Sequence, residues 1–293
     1  MLALLQIELF KIFRKPRTYI SFAAIAIMVA IVQIALKADG ISYLEFLMGG
    51  LRESIEIPFE VVLNGYLVCF IILNLLLIHV PLLVALVAGD SVAGEANMGT
   101  LRLLLTRPVS RTRLMLVKFA ASMIYTIMLL AWMALLSLVL SILLFGTNDM
   151  IITRNDVVEQ IQRNDILWRY FAAFGYAGVA LTTVAALAFL LSVFADNSIG
   201  PIVSTISIVI IFTILSEMEI PIYDTTVKPW LFTSHMLAWK GFFYSKSNGQ
   251  GEAIKGSLEN FPAIMRSMSV LLAYIVLFVG SAVMVFRKKD ILS

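Results

Sequence analysis

Long apolar stretches without a single charged residue alternate along this chain with shorter polar ones. Six stand out, at residues 18–36, 61–88, 119–145, 170–194, 199–215 and 267–286. A hydrocarbon core of ~30 Å needs about 17–25 helical residues, and every run meets that length. A charge at the centre of a span costs about 2.5–3.5 kcal/mol on the insertion scale, a cost all six runs avoid. The pattern predicts an all-α polytopic membrane protein with six transmembrane helices. Ahead of the first run, Leu2, Leu5, Leu9, Ile12 and Phe13 fall within about 100° of a helical wheel, and Glu8, Lys11, Arg14 and Lys15 take the other side. Residues 1–17 are therefore expected to form an amphipathic helix lying along the membrane surface, ended by Pro16; a plain polar tail is the alternative. With 17 residues before it and enough length to span, the first run is expected to stay as a helix and not to be cleaved as a leader.

Composition agrees with the pattern: 60% hydrophobic, 14% charged and a mean hydropathy of +0.95 lie outside the soluble range. The longest interval between runs, 217–266, is too short to support a core of its own, so 1–293 is read as one membrane domain. Cys69 is the lone cysteine and falls inside the second run, which excludes an intrachain disulfide and a cysteine-based metal cluster. Charge then orients the chain. With both termini cytosolic, the inner segments hold twelve cations against five acids, a balance of +7, and the outer loops hold ten cations against fourteen acids, −4. Short segments rich in Lys and Arg stay inside. The basic residues thus serve topology, and nucleic acid is not an expected partner.

The segments between runs differ in character. The first outer loop, 37–60, is acidic. The last, 217–266, is the largest and carries an aromatic stretch over 229–244 that either dips into the outer interface or folds as a lid. On the inner side, the joint between runs two and three (89–113) contains Thr100, suited to cap a short helix, then Leu101, Leu104 and Leu105 on one helical face, then Pro108 to stop it. By composition alone this is either a mechanical handle below the membrane or a basic loop that sets topology.

The stretch Gly94-Glu95, then Gly99-Thr100-Leu101-Arg102-Leu103-Leu104-Leu105-Thr106-Arg107-Pro108-Val109-Ser110-Arg111, then Lys118, resembles the signature of ABC-2 type transporter permeases. The six-span plan, the N-terminal surface helix and the large outer loop between spans five and six carry the likeness along the chain. Bacterial gliding-motility and nitrous-oxide-reductase-maturation permeases are the nearest subgroup; Arg102 departs from the acidic residue of many relatives. The resemblance implies a bacterial inner-membrane permease, an exporter that pairs with a second permease chain and draws energy from a separate ATP-binding cassette subunit, which would hold ATP and magnesium. It also implies that the joint forms a cytosolic coupling helix. Glu95, Gly99, Thr100, Leu101, Leu104, Leu105, Arg107 and Pro108 would then contact the ATPase.

Catalytic chemistry is not expected on this chain. Gly251 to Ser257 is the nearest approach to a phosphate-binding loop, and it lacks the Lys after its second Gly. His79 is the one ionisable residue deep in a run; it is expected to bond a neighbouring helix or a carbonyl freed by Pro81, with a place on the substrate path as the alternative. Small residues Ala173, Ala177, Gly178, Thr182 and Ala186 are expected to pack spans closely within one subunit, and Ser122, Thr126, Ser137 and Ser141 to bond their own backbone. Two other classes fit less well. An ion-coupled secondary transporter calls for carboxylates or broken helices in repeated halves, and an intramembrane enzyme for a polar constellation inside the spans.

Overall fold

The computed structural model describes residues 2–48, 62–100, 109–154, 157–218, 225–246 and 253–289. Helix α1 (Leu2–Phe13) stops before Pro16, and Pro16 instead opens α2 (Pro16–Met48). The first helix thus ends ahead of the proline, which stands in the first turn of the next helix, where its missing N–H costs nothing. Helix α3 (Gly65–Ala88) starts four residues later than the apolar run, because Asn64 caps it by accepting from the N–H groups of Tyr66 and Leu67 at 3.0 and 3.1 Å. A short α4 (Ala93–Asn97) leads towards residues 101–108.

Helix α5 spans Arg111–Phe145, with a π-helical turn at Leu135–Leu140. Beside that widened turn, the amide of buried Gln33 from α2 donates to the Leu136 carbonyl at 3.2 Å and to the Ser141 hydroxyl at 3.0 Å. A hairpin follows that the apolar pattern did not foresee, β1 (Met150–Arg154) paired antiparallel with β2 (Val157–Ile161), Met150 opposite Ile161. Then come α6 (Arg163–Phe194), α7 (Ile199–Glu217), a turn of 3-10 helix at Lys228–Trp230, α8 (Phe232–Met236), a second 3-10 segment at Leu237–Phe243, and α9 (Phe261–Lys288).

Among the described residues, helices α2, α3, α5, α6, α7 and α9 are the six that are long and apolar enough to cross a membrane. Helix α6 is the hub. Its most apolar stretch is 72% buried, against 22% for α7 and 17% for α9, so the others stand around it. Ala173, Ala177 and Ala186 are buried, and a Cβ on Gly178 would meet Leu130 of α5 at 3.5 Å, so the small residues pack spans of one chain. Gly65 has a sharper need: a Cβ there would lie 2.6 Å from the backbone of Ser141 and Ile142, where α3 and α5 meet.

Contacts between helix ends group the segments. Arg111 donates to the carbonyls of Phe286, Arg287 and Lys289, and Lys289 reaches Val193 and Asp196. Glu8 meets Lys118. Helix α1, the α3–α5 joint, the α6–α7 joint and the end of α9 therefore share one end, here termed the basic end.

Candidate functional site

At the basic end, helices α1, α3, α4 and α5 bring together charges that the sequence scatters over 110 positions. Lys118, one residue before an uncharged run, is only 1% exposed. Its ammonium lies 2.9 Å from Glu8 Oε2 and 2.7 Å from Glu95 Oε2, and it donates to the Ser91 carbonyl at 3.2 Å. Lys11 closes the square, 2.7 Å from Glu8 Oε1 and 2.7 Å from Glu95 Oε1. Each carboxylate thus meets two ammonium groups. That arrangement suits a desolvated site, where an unpaired charge would cost several kcal/mol.

A second group adjoins it. Asp90, at the foot of α3, accepts from Lys15 at 2.6 Å, from the Ser198 hydroxyl and from the Arg17 guanidinium. The Ser192 hydroxyl of α6 accepts from the N–H groups of Val92 and Ala93, satisfying the start of α4. A Cβ on Gly94 would strike the Asp90 carboxylate, so a larger residue there would push this acid away from its partners.

The surroundings shift these groups. Burial pushes the Glu8 carboxyl up, but Lys118 and Lys11 outweigh it and hold the group below its ordinary value. Burial likewise pushes Lys11 down, and its bonds to Glu8 and Glu95 hold it above the usual lysine range. Lys15 goes the other way: burial and the positive charge of Arg17 lower it to about 8, although Asp90, which Arg17 shares, is in contact.

Of the residues singled out in the sequence, Glu95, Gly99 and Thr100 are described, and Leu101, Leu104, Leu105, Arg107 and Pro108 lie outside the described residues. Glu95 turns inward to Lys11 and Lys118, anchoring α4. Gly99 has φ +68 with open space around it, so conformation and not crowding selects glycine there. The Thr100 hydroxyl donates backwards to the Glu95 carbonyl at 3.3 Å. Surface helix α1 also departs from the simple amphipathic reading. Glu8, assigned to the polar outer side, is buried against α5, and Leu2, Ile7 and Phe10 are the exposed large apolar residues. Ile12 and Phe13 pack against the core. The docked side of α1 thus mixes Glu8 and Lys11 with Ile12 and Phe13.

His79 is exposed on α3, and its Nδ1 lies 2.7 Å from the Leu75 carbonyl of its own helix. The expected partner was a neighbouring helix or the Leu77 carbonyl that Pro81 frees; the ring instead reaches one turn back. Ser122, Thr126 and Ser137 bond carbonyls of their own helix, and Ser141 takes Gln33.

At the opposite end, residues 228–246 and 253–260 fold down as a cap. Trp239, Phe242 and Phe243 are buried, with Phe70 of α3 at ring distances of 5.5 Å from Trp239 and 5.1 Å from Phe243; Trp230 stays exposed. This aromatic stretch packs against the spans through these rings. Its fastener is Arg169 of α6, fully buried. Arg169 pairs with Asp165 at 2.7 Å and donates to the carbonyls of Phe242 at 2.7 Å and Ser257 at 3.0 Å. Asp165 also accepts from Trp168 Nε1 and the Gly256 N–H. Sequence reasoning counted Arg169 as a loop charge; the visible signal was the i,i+4 acid–base pair running into an apolar span.

A model of the family described as "Protein of unknown function (DUF2705)" matches residues 18–292, and the chain belongs to that family. The chain is also similar to the uncharacterized protein YhcI of Bacillus subtilis (strain 168), at 29% identity over 120 residues. That likeness covers 39% of this chain and 37% of the relative's length.

Proposed function

We propose that this member of the DUF2705 family is the membrane-spanning permease subunit of an ATP-binding cassette transporter, an exporter that hydrolyses no ATP itself. The observation that carries the reading is the ion network at the basic end. Glu95 sits just before residues 101–108, and through Lys11 and Lys118 it ties that segment's root to α1 and α5. Asp90 ties the foot of α3 to Arg17 of α2 and to the α6–α7 joint. A force applied to 101–108 thereby reaches four spans through short buried contacts, which is what a part driven from outside the membrane requires. The apolar side chains Leu101, Leu104 and Leu105, with Arg102 and Arg107 between and beside them, suit a cleft with an acidic rim on a separate ATPase. On this reading the basic end is cytosolic, in keeping with the inward bias of Lys and Arg.

Six spans make half of a twelve-helix pore, so two permease chains and two ATPase chains form the working unit. Purification of the chain from native membranes in mild detergent, followed by native mass spectrometry, tests this. Expected is a complex of two six-span chains with two copies of a nucleotide-binding protein. A six-span protein that transports without any such partner would exclude the reading. The ion-coupled secondary transporter would then take its place, and its transport would follow a proton or sodium gradient.

A further inference from the structure

Beside the ion network lies a cavity of about 510 Å³ that neither the network nor the coupling role accounts for. Its walls are apolar: Leu4 and Ile7 of α1 on one side, Met98, Val109 and Leu114 on the other. Its floor carries charges of both signs, Lys11 and Lys15 with side chains 35% and 34% exposed and Glu8 and Glu95 at 10% and 7%. Ile7 is exposed beside it, on the same helix as exposed Leu2 and Phe10. The cavity therefore joins a charged floor, with the lysines as its more exposed members, to apolar side chains of α1, the helix expected to lie along the membrane surface.

The charge count within the two joined groups is uneven. Three carboxylates (Glu8, Asp90 and Glu95) face four cations (Lys11, Lys15, Arg17 and Lys118) among the described residues. One positive charge is left over in a mostly desolvated cluster, and Asp90 is shared by two of the cations. Burial and Arg17 lower Lys15 to about 8, as a cation in surplus should be. An added anion at the floor would relieve that surplus.

We propose that this cavity binds an anionic glycerophospholipid from the adjacent leaflet, its phosphate against Lys11 and Lys15 and the start of an acyl chain along Leu4, Ile7 and Met98. The volume admits a headgroup, the glycerol and part of one chain. Bound there, the lipid bridges α1 and the α4–α5 joint. The site stands whether or not the chain is a transporter, because it rests on the cavity, its charge and the six apolar helices.

The test uses the full chain, delipidated in detergent and titrated with phosphatidylglycerol or with phosphatidylcholine of the same chains, and followed by native mass spectrometry. At least a tenfold preference for phosphatidylglycerol is expected, reduced to near parity in Lys15→Gln and kept in Lys15→Arg and in the opposite-end control Lys246→Gln. Without any substitution, the Lys15 ammonium, read by NMR after reductive 13C-methylation, should titrate at higher pH when phosphatidylglycerol is added. Equal retention of the two lipids would overturn the proposal. So would inorganic phosphate displacing phosphatidylglycerol at matched concentration, which marks a free-phosphate site. With Cys69 replaced, a disulfide between Ile7→Cys and Leu104→Cys that forms equally with lipid present would also overturn it, since residues 101–108 would then fill the cavity.

Discussion

Lys118 shows how one residue changes meaning between sequence and structure. In the sequence it is one more cation at the edge of a span; in the folded chain it is buried and shared by Glu8 and Glu95. Lys118→Met leaves two buried carboxylates with Lys11 alone. Breaking a buried pair typically costs about 3–5 kcal/mol, so a loss of that order is expected in the unfolding free energy, measured by denaturant titration in detergent. Lys15 gives a test with a direction in pH. Its folded-state value of about 8 lies below the ordinary lysine value of 10.5, so the unfolded chain keeps a proton that the folded chain releases. Its penalty is complete below pH 8 and fades as pH rises to 10.5. The unfolding free energy of the native chain, taken relative to Lys15→Met, should therefore rise between pH 8 and 10.5. A flat difference across that window would show that Lys15 is not perturbed.

At the scale of elements, the six spans were legible because lipid removes ambiguity: an uncharged run of sufficient length has few other folds open to it. Their ends were less so. Within the run at 61–88 the spanning helix begins at Gly65, since Asn64 supplies a cap and Gly65 a close approach to α5 that hydropathy does not register. Helix α6 begins at Arg163, well before its apolar run, because Asp165 and Arg169 neutralise one another one turn apart and are covered by the cap. The ion network was illegible for a different reason: Glu8, Asp90, Glu95 and Lys118 are brought together by tertiary packing, and no local pattern joins them. The cap yields the prediction at this scale. Arg169→Met removes the donor to Phe242 and Ser257 and strands Asp165, so the cap should loosen while the spans persist. Limited proteolysis should cut within 245–255 at least tenfold faster than in the native chain, with helical circular dichroism unchanged; equal cutting rates would mean that aromatic packing alone holds the cap.

For the whole molecule, the ion network, α6 and the cap divide the work. Helix α6 packs the spans, Arg169 fastens one end and the Glu8–Lys118–Glu95 group fastens the other. Residues 101–108 follow the second fastening in the chain, and the proposed export function depends on a partner ATPase engaging them. The most direct measurement is ATPase recruitment and transport-stimulated ATP hydrolysis in the Leu104→Asp/Leu105→Asp double variant, with Ser245→Ala at the opposite end as the control. Two carboxylates pressed into an apolar cleft cost several kcal/mol, so the account predicts normal membrane expression with recruitment lowered at least a hundredfold and stimulated hydrolysis lost. A double variant that recruits the ATPase and transports at the native rate would contradict it, and would reduce 101–108 to a loop that sets topology.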